Sequence, residues 1–282
     1  MAFKDVLLHL ETYPDPTTDW AADQAVALCA ALGDQVTAVA AHATIAVKTN
    51  RLADFALNFG ELARSEEARS RAAADHLLDR FEASATAAGV YGGRVGPAAE
   101  MFEVPDLIAR MARTRDVCVV PYARDPGPQQ GMAEALIFSS GRPVVIFRPR
   151  EGAAPMTEIG TALIAWDGGR SAAAALAAAL PALQAARKVV VLTILNEKPQ
   201  ATPAVAEDVL RHLARHGIAA EAQTFDSAGA TIGSVLEHVV ERVGADLLVM
   251  GAFGHSRARE FVLGGATRSM LEAPPTAVLL AH

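Results

Sequence analysis

The sequence predicts an α/β protein of two tandem doubly wound domains. Three observations predict it. Short apolar runs with β character alternate with helical patterns along the chain. The strand and helix order of the first half recurs in the second, with a repeat of roughly 150 residues, a typical domain size. A stretch without periodicity and rich in Pro, Gly and charge, Arg148 to Glu158, separates the two. Strands alternating with helices imply parallel pairing through right-handed crossovers, hence a doubly wound sheet in each half. The domains expected are 1–149 and 159–282.

In the first half the pattern predicts strands at Phe3–Leu10, Val36–Ala41, Val90–Val95, Val117–Val120 and Val144–Phe147. Thr17, Thr18 or Asp19 caps a first helix that runs to Leu32 and stops at Gly33. A long helical region, Arg51 to Ala88, ends at Gly89, a third helix runs from Pro105 to Arg113, and a fourth covers Gly131–Ser140. The second half restarts with a strand at Thr161–Trp166, a helix at Ser171–Ala186 and a strand at Val189–Leu195. Helices at Pro203–His216, Ile232–Val243 and Ala266–Ala273 then alternate with strands at Ala219–Phe225, Asp246–Met250 and Ala277–Leu280. Local matches support a duplication. Val6 to Glu11 parallels Ala162 to Asp167, Arg115 to Val120 parallels Ala245 to Met250, and Pro143 to Ile146 answers Thr276 to Leu279.

The chain has 282 residues, 51% of them hydrophobic and only 5% aromatic, a composition that suits helices packed on a parallel sheet. A formal net charge of −7 argues against nucleic-acid binding and against attraction to anionic membranes. No apolar run reaches transmembrane length, since Pro181 and Gln184 interrupt the longest, Ala172 to Ala186. The start of the chain reads as a strand and not as a signal peptide. Cys29 and Cys118 lie in apolar runs without metal or redox spacing, as buried thiols of a cytoplasmic protein do.

The chemistry-bearing stretch is Asp246 to Ala273. An apolar strand ends at Gly251, Gly254 follows, and after a nine-residue insert come Gly264 and Gly265 at a helix start. Glycines let a backbone approach a phosphate, and a helix start offers unpaired N–H groups with partial positive charge. Glycines that only serve turns are the competing explanation. The spacing Gly-x2-Gly-x9-Gly followed by a small residue resembles the signature of the ATP-binding branch of the universal stress protein family. The resemblance covers the chain as a tandem pair, sharp in the second half and faint in the first. It implies a five-stranded sheet per domain, of the adenine nucleotide alpha hydrolase-like kind, and a bound ATP or other adenine nucleotide, with or without Mg²⁺. Carried over residue by residue, it places Asp167 beside adenine and ribose at the end of the strand through Ala165, and Ile194 against the adenine ring. Met250, Gly251, Gly254, His255, Gly264, Gly265, Ala266 and Thr267 then surround the phosphates and ribose. Gly265 departs from the family, which has Ser or Thr there, and Thr267 is the nearest hydroxyl that substitutes.

Asp167 followed by two glycines would also open a turn and cap the next helix. The first half lacks the signature: Pro121 and Arg124 replace the first two glycines, Glu11 stands at the position of Asp167, and Gly131 is the remnant of the third glycine. Proline removes an N–H that a phosphate needs, so no nucleotide is expected there. Arg257 and Arg259 decorate the insert, and His212 and His216 share a helix face without an acidic or Cys partner. P-loop, dinucleotide and Gly-x-Ser-x-Gly patterns are absent. The preferred reading is a binding or regulatory module, with at most slow ATP hydrolysis, whose two halves pack as a pseudo-dimer and extend to a further homodimer. The alternatives are a nucleotide-free scaffold of the same fold and an adenylating enzyme. The latter needs a Ser-Gly-Gly-like grip, to which Asp167-Gly168-Gly169 comes nearest.

Overall fold

The computed structural model describes residues 2–46, 59–123, 127–195, 204–252 and 265–282. The first half holds β1 (Val6–His9), α1 (Asp19–Leu32), β2 (Val36–Val39), β3 (His42–Thr44), α2 (Phe59–Ala87) and β4 (Tyr91–Val95). It continues with β5 (Ala98–Glu100), α3 (Val104–Ala112), β6 (Val117–Pro121), α4 (Gly127–Ser139) and β7 (Val144–Phe147). The second half holds β8 (Thr161–Ala165), α5 (Arg170–Ala185), β9 (Lys188–Leu195), α6 (Ala204–Arg215) and β10 (Ala220–Asp226). It ends with α7 (Ile232–Val243), β11 (Leu247–Gly251), α8 (Gly265–Glu272) and β12 (Ala277–Ala281).

Ten strands form one sheet in the order β10-β9-β8-β11-β12-β7-β6-β1-β2-β4. From the middle outward, each half lays down its strands in one order: last, fourth, first, second, third. All neighbours are parallel except β12 and β7, which pair antiparallel with Leu279 opposite Val145 and Val278 opposite Ile146. That single antiparallel contact joins the two five-stranded halves, and the strand order is mirrored on its two sides. The inner strands are apolar runs because both faces are covered, whereas the edge strands β4 and β10 carry polar, partly exposed residues. One face packs under α1, α2, α5 and α6, with Leu8, Phe81, Ile164 and Leu213 in its core. The other packs under α3, α4, α7 and α8, with Leu7, Ile108, Leu248 and Met270.

The repeated Asp is a structural device. Asp116 Oδ2 accepts the backbone N–H groups of Lys4 and Asp5, at 2.8 and 3.1 Å. Asp246 Oδ2 accepts those of Gly160 and Thr161, at 2.8 and 2.9 Å. In each half a carboxylate at the foot of the fourth strand pins the start of the first, satisfying two amides the sheet leaves unpaired. The match between Arg115-Asp116 and Ala245-Asp246 is therefore a matter of folding.

Two features depart from expectation. β3 and β5 form a separate two-stranded parallel sheet in stretches that read as irregular, because three residues are too few for a period to show. α4 starts at Gly127, four residues before Gly131. Pro128 sits at its second position, where a helix has no use for the missing N–H. Gly131 consequently lies inside the helix and is no loop remnant.

Both cysteines are buried. Burial pushes the Cys118 thiol up to about 12, and that of Cys29 higher still. The thiolate is the reacting form, so a thiol reagent at pH 8 is expected to label neither cysteine in the native protein and both in denaturant. Rapid native labelling would contradict the packing. No helix among the described residues is long and apolar enough to cross a membrane.

Candidate functional site

The carboxyl ends of β8, β9 and β11 lie side by side, and between β8 and β11 the chain reverses its direction of winding. Ligands of doubly wound sheets bind at this point. A cavity of about 420 Å³ opens there, within the range of small-molecule sites. Its floor is apolar: Leu192 and Ile194 on β9, Met250 on β11, Leu236 on α7 and Ala165 on β8.

Three helix starts border the cavity. Gly169, Ser171 and Ala172 belong to the beginning of α5, Thr231 and Ile232 to that of α7, and Gly265, Ala266 and Thr267 to that of α8. Each contributes N–H groups and the positive end of its dipole. Thr231 caps α7 by accepting from the Ser234 N–H at 3.3 Å, which leaves the earlier amides to face outward. The wall toward solvent carries Arg268, whose guanidinium donates to Glu272 at 2.7 Å. An apolar floor beneath a rim of amides suits a planar, apolar-faced molecule that carries negative charge.

The structure brings Ala165, Asp167, Ile194, Met250, Gly251, Gly265, Ala266 and Thr267 to this one cavity. Gly254, His255 and Gly264 lie outside the described residues, as do Arg257 and Arg259. Asp167 opens the turn before α5 and does not cap the helix, whose N-cap is Gly169 without a side-chain cap: Oδ1 accepts the Gly169 N–H at 2.8 Å, and Gly168 takes the left-handed φ of 74° that the turn requires. It lines the cavity at the same time. Gly251 has a packing reason. A Cβ there would lie 2.4 Å from the Ser171 carbonyl carbon and 2.5 Å from the Ala172 nitrogen, so the end of β11 touches the first turn of α5 backbone to backbone. At Gly265 an added Cβ meets nothing among the described residues within 4 Å. The Thr267 side chain is buried in the first turn of α8.

Sequence reasoning missed Leu192, Leu236, Thr231, Ser171 and Trp166. Leu192 was readable, because it stands two residues before Ile194 on one strand face. Trp166 stands between Ala165 and Asp167 at the end of β8 and was readable in the same way, whereas Leu236, Thr231 and Ser171 reach the cavity through the placement of helices over the sheet.

The first half carries different side chains at the corresponding place. His9 occupies the position of Ala165, and Tyr122 that of Ala252. His9, Glu11 and Tyr122 are buried, as is Gln129 in the additional first turn of α4. His9 Nε2 faces Glu11 Oε2 at 3.5 Å, and burial raises the Tyr122 hydroxyl above its ordinary range. Larger side chains thus stand where the second half has Ala165 and Ala252.

No family model and no curated protein matches the sequence. Solved structures do. A universal stress protein from Archaeoglobus fulgidus aligns with 98% of this chain and 95% of its own, at a TM-score of 0.70 and 14% identity. The fold is that of a universal stress protein. Two proteins from Pseudomonas aeruginosa share this universal stress protein fold at a TM-score of 0.52. One is described as a universal stress protein, with 15% identity over 99% of this chain and 93% of its own. The other is of unknown function, with 14% identity over 99% and 92%. These alignments run across both halves, so the tandem arrangement itself recurs.

Proposed function

We propose that the chain is a tandem universal stress protein that binds ATP or another adenine nucleotide, with or without Mg²⁺, in the second-half cavity, as a regulatory module of the cytoplasm. The observation that carries this reading is the cavity bordered by three helix starts at the reversal point of the sheet. Adenine would lie on Leu192, Ile194 and Met250, with ribose beside Asp167. The phosphates would meet the amides at the start of α8, together with Gly254, His255 and Gly264. The domains are 1–149, which is closed to nucleotide and serves as the packing partner, and 159–282, which carries the site. They act as a pseudo-dimer joined through β7 and β12, and neither nucleic acid nor membrane is a partner.

Thermal melting with and without ATP and Mg²⁺ tests it, on the wild type and on Gly254→Arg, which copies Arg124 of the first half. A ligand bound only to the folded state raises stability by about 2.7 kcal/mol at a hundred times its dissociation constant. The expected result is a rise in the wild type that vanishes in the variant. A nucleotide-free scaffold is the second reading, favoured by the packing role of Gly251 and the missing hydroxyl at Gly265. No rise at saturating ATP would establish it.

Gly265→Ser restores the hydroxyl at a position where an added Cβ meets none of the described residues. The net value of one hydrogen bond, roughly 0.5–1.5 kcal/mol, predicts affinity up to about tenfold tighter. Titration of both proteins checks this, and weaker binding by the variant would contradict the assigned phosphate position.

A further inference from the structure

Helix α8 begins at the second-half cavity, and its charges run against its own dipole. Arg268 is the fourth residue of the helix and Glu272 the last. A cation in the first turn and an anion in the last each stand where the macrodipole disfavours them. At this spacing an acidic residue ahead of a basic one supports a helix better than the reverse order found here. Side chains on a helix lean toward its N-terminus. Arg268 instead reaches the other way, its Nε donating to Glu272 Oε1 at 2.7 Å. The two side chains are 63% and 50% exposed, and a pair as open as this contributes little to the fold.

Both residues line the cavity. Among the described lining residues, Asp167 and Glu272 carry negative charge and Arg268 carries the positive charge. While Glu272 holds Arg268, that charge is spent within the wall. A second cation stands at the far end of the helix. Arg148, which follows β7 in the first half, donates from its guanidinium to the Glu272 carbonyl at 3.1 Å, at the end of the dipole where positive charge is favoured. The last turn of α8 therefore keeps a positive partner when Arg268 turns toward the helix start.

We propose that Arg268 is the residue by which the cavity distinguishes phosphorylated from unphosphorylated adenine ligands, with Glu272 as its resting partner. This rests on the nucleotide reading above and deepens it. A phosphate at the start of α8 draws the guanidinium toward the helix N-terminus, along the direction in which the side chain leans. There the guanidinium offers phosphate oxygens parallel N–H groups in a planar fork. Phosphate binding is then an exchange, in which Arg268 leaves one anion for another, and an unphosphorylated ligand leaves the pair with Glu272 in place.

Calorimetric titration with ATP and with adenosine tests this, on the wild type, Arg268→Gln, Glu272→Gln and the double variant. The wild type is expected to prefer ATP to adenosine, and Arg268→Gln to reduce that preference roughly tenfold. Glu272→Gln releases Arg268 in advance, so it is expected to bind ATP roughly twofold tighter. In the double variant that gain disappears. An unchanged preference in Arg268→Gln, with ATP still bound, overturns the inference and leaves the nucleotide site standing. A gain from Glu272→Gln that persists without Arg268 also overturns it, because the carboxylate would then repel the ligand directly and not act through Arg268. If the wild type binds neither ligand, the nucleotide reading falls and the inference falls with it.

Discussion

Replacing Gly251 by valine is expected to destabilise the protein by roughly 3 kcal/mol, at the upper end of ordinary overpacking. The Cβ would meet backbone atoms of Ser171 and Ala172 at 2.4 and 2.5 Å and the Ser171 Cβ at 2.7 Å. None of these can rotate away, so either β11 or the start of α5 must move. Since α5 borders the cavity, nucleotide binding should be lost along with stability. Gly251→Ala is the milder probe and Gly265→Ala the control, because an added Cβ at Gly265 meets nothing among the described residues within 4 Å. Urea midpoints at unchanged slope measure the difference. Equal midpoints for the two alanine variants would show that the close approach at Gly251 does not constrain the fold.

Asp246→Ala is expected to lower stability by a comparable amount. Two backbone amides, of Gly160 and Thr161, lose a charged acceptor at 2.8 and 2.9 Å. Hydrogen bonds to charged groups contribute roughly 1.5–3 kcal/mol each, and an amide left unsatisfied adds a desolvation cost. Asp116→Ala removes the same pair of contacts in the first half, but Lys4 is exposed, and water replaces part of what is lost. The expected order is therefore Asp246→Ala well below Asp116→Ala in melting temperature, with nucleotide affinity per folded molecule unchanged in both. The reverse order would mean that the two halves do not share this device.

Much of the fold was legible because buried parallel strands are short, apolar and bounded by turns. Val144–Phe147 and Ile232–Val243 fall where the pattern puts them. The start of α4 was not, since Asp125-Pro126-Gly127-Pro128 reads as a stiff loop until one asks where in a helix proline costs nothing. At the cavity the sequence located Asp167 and Gly251 but could not say why each is there. Gly251 is required by contact between two backbones far apart in the chain, and no local signal distinguishes that from room for a phosphate. Asp167 opens the expected turn and lines the cavity, but the expected helix cap is not made, since Gly169 holds the N-cap position. The difference of the first half was visible in Pro121 but not in His9 and Tyr122, which are buried at the ends of the neighbouring strands β1 and β6.

The most direct test is the stoichiometry of ATP binding. Trp166 lines the cavity, and Trp20 is the only other tryptophan in the chain. Titration of a Trp20→Phe variant by fluorescence, paired with calorimetry of the wild type, therefore reports occupancy at the second-half site and in the whole molecule. One nucleotide per chain, with the Trp166 signal saturating at the calorimetric endpoint, is the result predicted. Two per chain, or binding that leaves Trp166 unchanged, would contradict the assignment of an open second half and a closed first half.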